Sequence, residues 1–132
     1  MRVFTVRTER RSQLVDITGR VRETLGSLGD AAAALVYVPH TTAGVTINEH
    51  ADPAVARDFV AALERIVADD WPWEHVEEGE ENAPTHIRAA FMGPDVLVPV
   101  REGALALGTW QGIFLCEFDG PRERTVYVTA LQ

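Results

Sequence analysis

The chain has 132 residues, 46% of them apolar, which is enough for one domain with a real core. No apolar run reaches the 18 residues that a membrane span needs. The net charge of -8 is local: seven of the 20 acidic residues fall within 69–81, leaving 13 against 12 arginines, so no nucleic-acid partner is expected. All 12 bases are arginine, which removes Schiff-base chemistry; a lone Cys116 and an N-terminus without a signal-type apolar core predict a cytoplasmic protein with no membrane partner.

Residues 2–10 alternate, with Phe4, Val6 and Thr8 on one face, and read as a half-buried strand. Gln13–Ile17 is a second strand. Thr18 is placed to N-cap a helix running to about Leu28, with Val21, Leu25 and Leu28 on one face and Gly29 as the stop. Ala31–Val38 is apolar throughout and predicts a strand buried on both faces. Thr42–Asn48 is its expected hairpin partner or neighbour.

Asp52 and Pro53 are a good N-cap and first-turn pair for the longest helix, which carries Val55, Phe59, Leu63 and Ile66 to about Asp69. Residues 70–83 read as a loop with Trp71, Trp73, His75 and the acidic run, and Pro84 opens a short helix to about Met92. Strands follow at Val96–Val100, Ala104–Leu107, Thr109–Phe118 and Arg124–Leu131, divided by turn signals that suggest antiparallel hairpins. The third of these should be central, since Ile113, Phe114, Leu115 and Phe118 leave it little polar surface. The order ββαββααββββ is that of a single α+β domain over residues 1–132, not a βαβ alternation.

Polar chemistry concentrates between Tyr37 and Asp52, where Pro39 ends a strand and His40, Thr41, Thr42, Asn48, Glu49 and His50 follow. Of the four histidines, His40, His75 and His86 sit in turns or at helix ends. Neutral imidazoles suit zinc, and three protein ligands leave an open catalytic position. No local zinc motif is present, so on spacing alone each histidine reads first as a surface or hydrogen-bonded residue. Glu77, Glu78, Glu80 and Glu81 read as a solvated loop or as orienting groups for the imidazoles. The pentad Gly108–Gly112, with Thr109, Trp110 and Gln111 inside it, reads as a strand bend or as backbone that meets a ligand. Arg122 and Arg124 read as phosphate binders or as a solvated hairpin end. Cys116 alternates with Phe114 and Phe118 and reads as a buried small hydrophobe.

The segments HTTAGVTINEHADPAV, WEHVEEGEENAPTHIRAAFMG and PVREGALALGTWQGIFLCEFDGPRERTVYVTALQ together resemble the YjbQ-like family, whose members are commonly labelled secondary thiamine-phosphate synthase. The resemblance implies an α+β fold, a homotrimer and a site near a subunit boundary where His40, His75 and His86 hold a divalent metal. Zinc is the expected ion, with magnesium the alternative for a diphosphate substrate. Asn48 and Glu49 match the family's N-E pair and, with Thr41, are the catalytic candidates. Trp110 and Gln111 match its W-Q pair. With Thr109, Arg88, Arg122 and Arg124 they are the substrate-binding candidates, Trp110 for a planar ring and the arginines for anionic groups. His50 stands where relatives often carry Asn and is left out of the site. The implied reaction joins hydroxymethylpyrimidine diphosphate to a thiazole phosphate and releases pyrophosphate. The alternatives are a metal-dependent hydrolase of a phosphorylated or acyl small molecule, and a non-enzymatic trimeric ligand-binding protein.

Overall fold

The computed structural model describes residues 1–76 and 82–132. Its elements are β1 (Arg2–Arg7), β2 (Gln13–Asp16), α1 (Thr18–Leu25), β3 (Ala33–Tyr37), β4 (Ala43–Glu49), α2 (Pro53–Ile66), α3 (Ala83–Met92), β5 (Asp95–Arg101), β6 (Ala104–Leu105), β7 (Gln111–Glu117) and β8 (Glu123–Leu131). The fold is α+β, and the element order is the expected one. The strands form two antiparallel sheets, one of five in the order β1-β8-β3-β5-β6 and one of three in the order β2-β7-β4.

The layering follows from which side chains alternate. Ile113 and Leu115 of β7 join Phe4, Val36, Val45, Val98 and Val126 in a core between the two sheets. Phe114, Cys116 and Phe118 point the other way and pack with Leu63 of α2 and Ala89 of α3. The small sheet is thus covered on both faces, which is why β7 is apolar at nearly every position and central in its sheet. Burial pushes the Cys116 thiol up to about 12, so it is inert as a nucleophile at neutral pH.

Several elements differ from the sequence expectation. β3 and β4 do not pair; they belong to different sheets, because the Pro39–Thr42 link carries the chain from one layer to the other. β7 and β8 are likewise separated, leaving β5–β6 as the hairpin of the last third. β3 buries Ala34 and Val36 but leaves its other face, with Tyr37, open. Thr18 lies inside α1, not at its cap: its hydroxyl bonds Asp16 Oδ1 (2.6 Å) and accepts from the Ile113 N–H (2.8 Å). The helix ends at Leu25, where Gly26 (φ 65°) takes the C-cap. On α2, Ile66 is 70% exposed, and Val67 just beyond the helix is buried.

Asp52 does cap α2, its Oδ1 accepting from the Ala54 N–H at 2.9 Å ahead of Pro53. Asp52→Ala should therefore cost about 0.5–2 kcal/mol in denaturant unfolding. An unchanged unfolding midpoint would show that the cap contributes nothing.

Gly44 sets how closely α3 approaches the small sheet. A Cβ there would lie 2.8 Å from Gly93 O and 2.9 Å from Met92 Cβ, so a side chain would push the end of α3 off β4. Glycine at this position brings α3, and with it His86, against the start of β4.

Candidate functional site

The start of β4, the end of β7 and the start of β8 meet the N-terminal half of α3 around a cleft of ≈ 860 Å³. His40, Thr41, His75, His86, Arg122 and Arg124 all line it, so six of the expected site residues come together here. Arg11, Asn82 and Asp119 line it as well.

Hydrogen bonds fix the ring states. The Thr125 N–H donates to His40 Nε2 at 2.8 Å, so that nitrogen carries the lone pair and Nδ1 the proton. Burial and the Arg124 guanidinium hold His40 below its ordinary value, which favours this neutral form. His86 Nδ1 donates to Thr41 O at 3.1 Å, leaving the Nε2 lone pair free. His75 stands edge-on to His86, ring centroids 5.1 Å apart.

His86, with Nδ1 donating to a carbonyl, has the tautomer typical of a metal-binding imidazole, and His75 stands next to it. A zinc ion fits His40 only if that ring gives up its bond to Thr125, because a neutral imidazole has one lone pair. Among the described residues, no group of three His, Cys, Asp or Glu side chains is placed to hold a metal. Glu77, Glu78, Glu80 and Glu81 lie outside the described residues.

The arginines are held by carboxylates. Glu117, fully buried, accepts from Arg124 Nε (2.8 Å) and Nη2, from Thr8 Oγ1 (2.8 Å) and from the Phe118 and Asp119 N–H groups (both 3.0 Å). Arg124 Nη2 also reaches Thr42 Oγ1 at 2.8 Å. This pair bridges the two sheets, Glu117 from β7 and Arg124 from β8. Arg122 donates through Nε and Nη2 to Asp119, and Arg11 grips Asp69 with both terminal nitrogens. Among the described residues, Arg124 Nη1, Arg122 Nη1 and Arg11 Nε make no hydrogen bond, which leaves three donors on cleft-lining side chains.

The remaining candidates lie elsewhere. Arg88 is buried, donates to Val67 O (2.6 Å) and Asp69 Oδ1 (3.1 Å), and does not line the cleft; its work is to tie α3 to the end of α2. Asn48 and Glu49 stand at the other end of β4, opposite Gly112 and Gln111. Six residue steps along the strand separate Ala43 from Glu49, about 20 Å. Trp110 and Thr109 are exposed there, and Gln111 Oε1 accepts from the Gly108 N–H (2.8 Å), closing the turn on itself. Within one chain this second set does not reach the histidine cleft.

At that far end His50, left out by the sequence reading, bonds Asp16 Oδ2 through Nδ1 at 2.9 Å. Burial works against the Asp16 charge, but hydrogen bonds from Thr18 and His50 outweigh it and hold its carboxyl below the usual range. Gly112 makes room for the ring: a Cβ there would sit 2.4 Å from His50 Nδ1.

An α+β protein of two unequal antiparallel sheets, with histidines and arginines gathered at one end of the small sheet, is the class that fold and cleft define. The model of the UPF0047 protein YjbQ-like family matches residues 2–132, and the chain belongs to that family. It is 43% identical over 131 residues to the UPF0047 protein YugU of Bacillus subtilis, covering 97% of this chain and 96% of that one. Among solved structures, an uncharacterized YjbQ/UPF0047 protein of Clostridium acetobutylicum aligns with a TM-score of 0.88 at 39% identity, covering 98% of each chain. A hypothetical protein of Aeropyrum pernix K1 aligns with a TM-score of 0.88 at 43% identity, covering 98% of this chain and 96% of that one.

Proposed function

We propose that the chain is a metal-binding enzyme acting on small phosphorylated molecules at the histidine–arginine cleft, of the secondary thiamine-phosphate synthase type. The observation that carries this reading is the convergence of three imidazoles and three guanidinium groups on one cleft. In that reaction a C–N bond to the thiazole replaces a C–O bond, and diphosphate leaves. The protein's task is to stabilise the charge that gathers on the leaving group.

Arg122 and Arg124 do this with donors already oriented by Asp119 and Glu117, so little reorganisation accompanies the reaction. His40 adds a neutral Nδ1–H donor from the same wall. His75 and His86 are the residues that would hold a divalent ion, which would supply further positive charge.

Incubation with hydroxymethylpyrimidine diphosphate and thiazole phosphate should release pyrophosphate and thiamine phosphate in equal amounts, and Arg122→Ala should slow this at least about tenfold. Release of inorganic phosphate from either substrate alone would indicate a hydrolase. Binding without turnover in any metal would indicate a ligand-binding protein.

The same reading includes a homotrimer. The open face of the large sheet supports it: Val3, Tyr37, Leu97 and Leu131 are exposed there, and Tyr37 stacks on Tyr127. Sedimentation at micromolar concentration should give a species of three chains; a monomer would contradict the assignment.

A further inference from the structure

The histidine pair has a second side. A cleft of ≈ 600 Å³ is lined by Trp71, Trp73, His75, His86 and Ile87, so it shares both imidazoles with the arginine-lined cleft. One side of the pair is rich in guanidinium groups and the other in indole. Trp71 is 64% exposed and Ile87 41%, a bare apolar surface beside polar groups. Trp73 is fixed by its Nε1–H bond to Ala68 O (3.0 Å), and Trp71 lies 6.4 Å from it at a 50° tilt. The only other tryptophan, Trp110, is at the far end of β7 from His75 and His86, beside His50.

We propose that Trp71 and Trp73 form the subsite for a planar ring, so that the substrate is a ring-bearing phosphate ester lying across His75 and His86. The ring packs against the indoles while the phosphate meets Arg122 and Arg124. The bond between them then lies at the imidazoles. This rests on the proposed phosphate chemistry of the arginine cleft and assigns the ring to Trp71 in place of Trp110. Indole suits any flat π-face, so the wall selects for a ring without demanding one pattern of substituents.

Calorimetric titration of the full chain with inorganic phosphate, phenyl phosphate and phenol tests it. Phenyl phosphate should bind at least about tenfold more tightly than inorganic phosphate. Trp71→Ala should bring the two within about threefold and leave inorganic phosphate unchanged, Trp71→Phe should keep most of the preference, and Trp110→Ala should keep all of it. Equal affinity for the two phosphates in the native chain would overturn the proposal, as would a preference lost in Trp110→Ala but not in Trp71→Ala. If inorganic phosphate fails to bind while phenol binds in a Trp71-dependent way, the ring subsite stands and the phosphate reading of the arginine cleft falls.

Discussion

Zinc affinity should fall by about a hundredfold or more in His75→Ala and in His86→Ala. These two imidazoles stand 5.1 Å apart between centroids, and His86 already has its Nδ1–H committed to Thr41 O. Removing either leaves one free imidazole, which cannot keep an ion against water. His40→Ala should cost less, since ligation by His40 forfeits its bond from the Thr125 N–H, worth about 1 kcal/mol. His50→Ala should leave zinc affinity unchanged, because His50 is held by Asp16 in the groove at the other end of β4. Binding in the native chain should also weaken as the solution is acidified, because an imidazole must be neutral to ligate a metal. Titration of the four variants at pH 7.5 checks the order. Loss in His50→Ala with retention in His86→Ala would reverse the assignment.

The largest effect on stability should come from Glu117→Ala, at about 3–5 kcal/mol. The change leaves the Arg124 guanidinium buried at 2% exposure without its carboxylate, and it also removes the acceptor of the Asp119 N–H, while Thr8 Oγ1 keeps Arg122 and the Phe118 N–H keeps Thr42 O. Paired, the two charges hold the sheets in register at the mouth of the cleft. Arg11→Ala breaks an exposed pair with Asp69 and should cost no more than about 1 kcal/mol. Denaturant unfolding separates the two, and a cost below that of Arg11→Ala for Glu117→Ala would show that the buried pair does not stabilise the fold.

Much of the architecture was legible in the chain. The alternation of Phe4, Val6 and Thr8, the Asp52–Pro53 start and the nearly unbroken apolar run of β7 each reflect a local rule, and each element forms where expected. Sheet membership was not legible. Nothing local in Pro39–Thr42 distinguishes a hairpin from a crossing between layers, because that depends on which sheet has room for β4. Helix ends misread by a turn, as at Leu25, reflect Gly26 acting ahead of Gly29.

The cleft was half legible. His40, His75 and His86 were grouped by their place in turns or at helix ends and by the family resemblance, and all three line one cleft. Arg88 and Arg124 looked alike as phosphate binders, yet one ties α3 to α2 and the other is clamped by Glu117. The signal for Glu117 was present, since an acid at the end of Ile113-Phe114-Leu115-Cys116 is buried with the strand and must be paired. The N-E and W-Q residues were grouped with the histidines by motif alone. Strand length separates them, since Glu49 pairs with Gln111 at one end of the small sheet while Ala43 pairs with Glu117 at the other.

Anomalous diffraction at the zinc edge from crystals soaked in zinc at neutral pH tests the site most directly. A single strong peak between the His75 and His86 rings, open to the side of the cleft lined by Arg122 and Arg124, is the predicted result. A peak at the His50–Asp16 pair, or none at the two rings at saturating zinc, would contradict it.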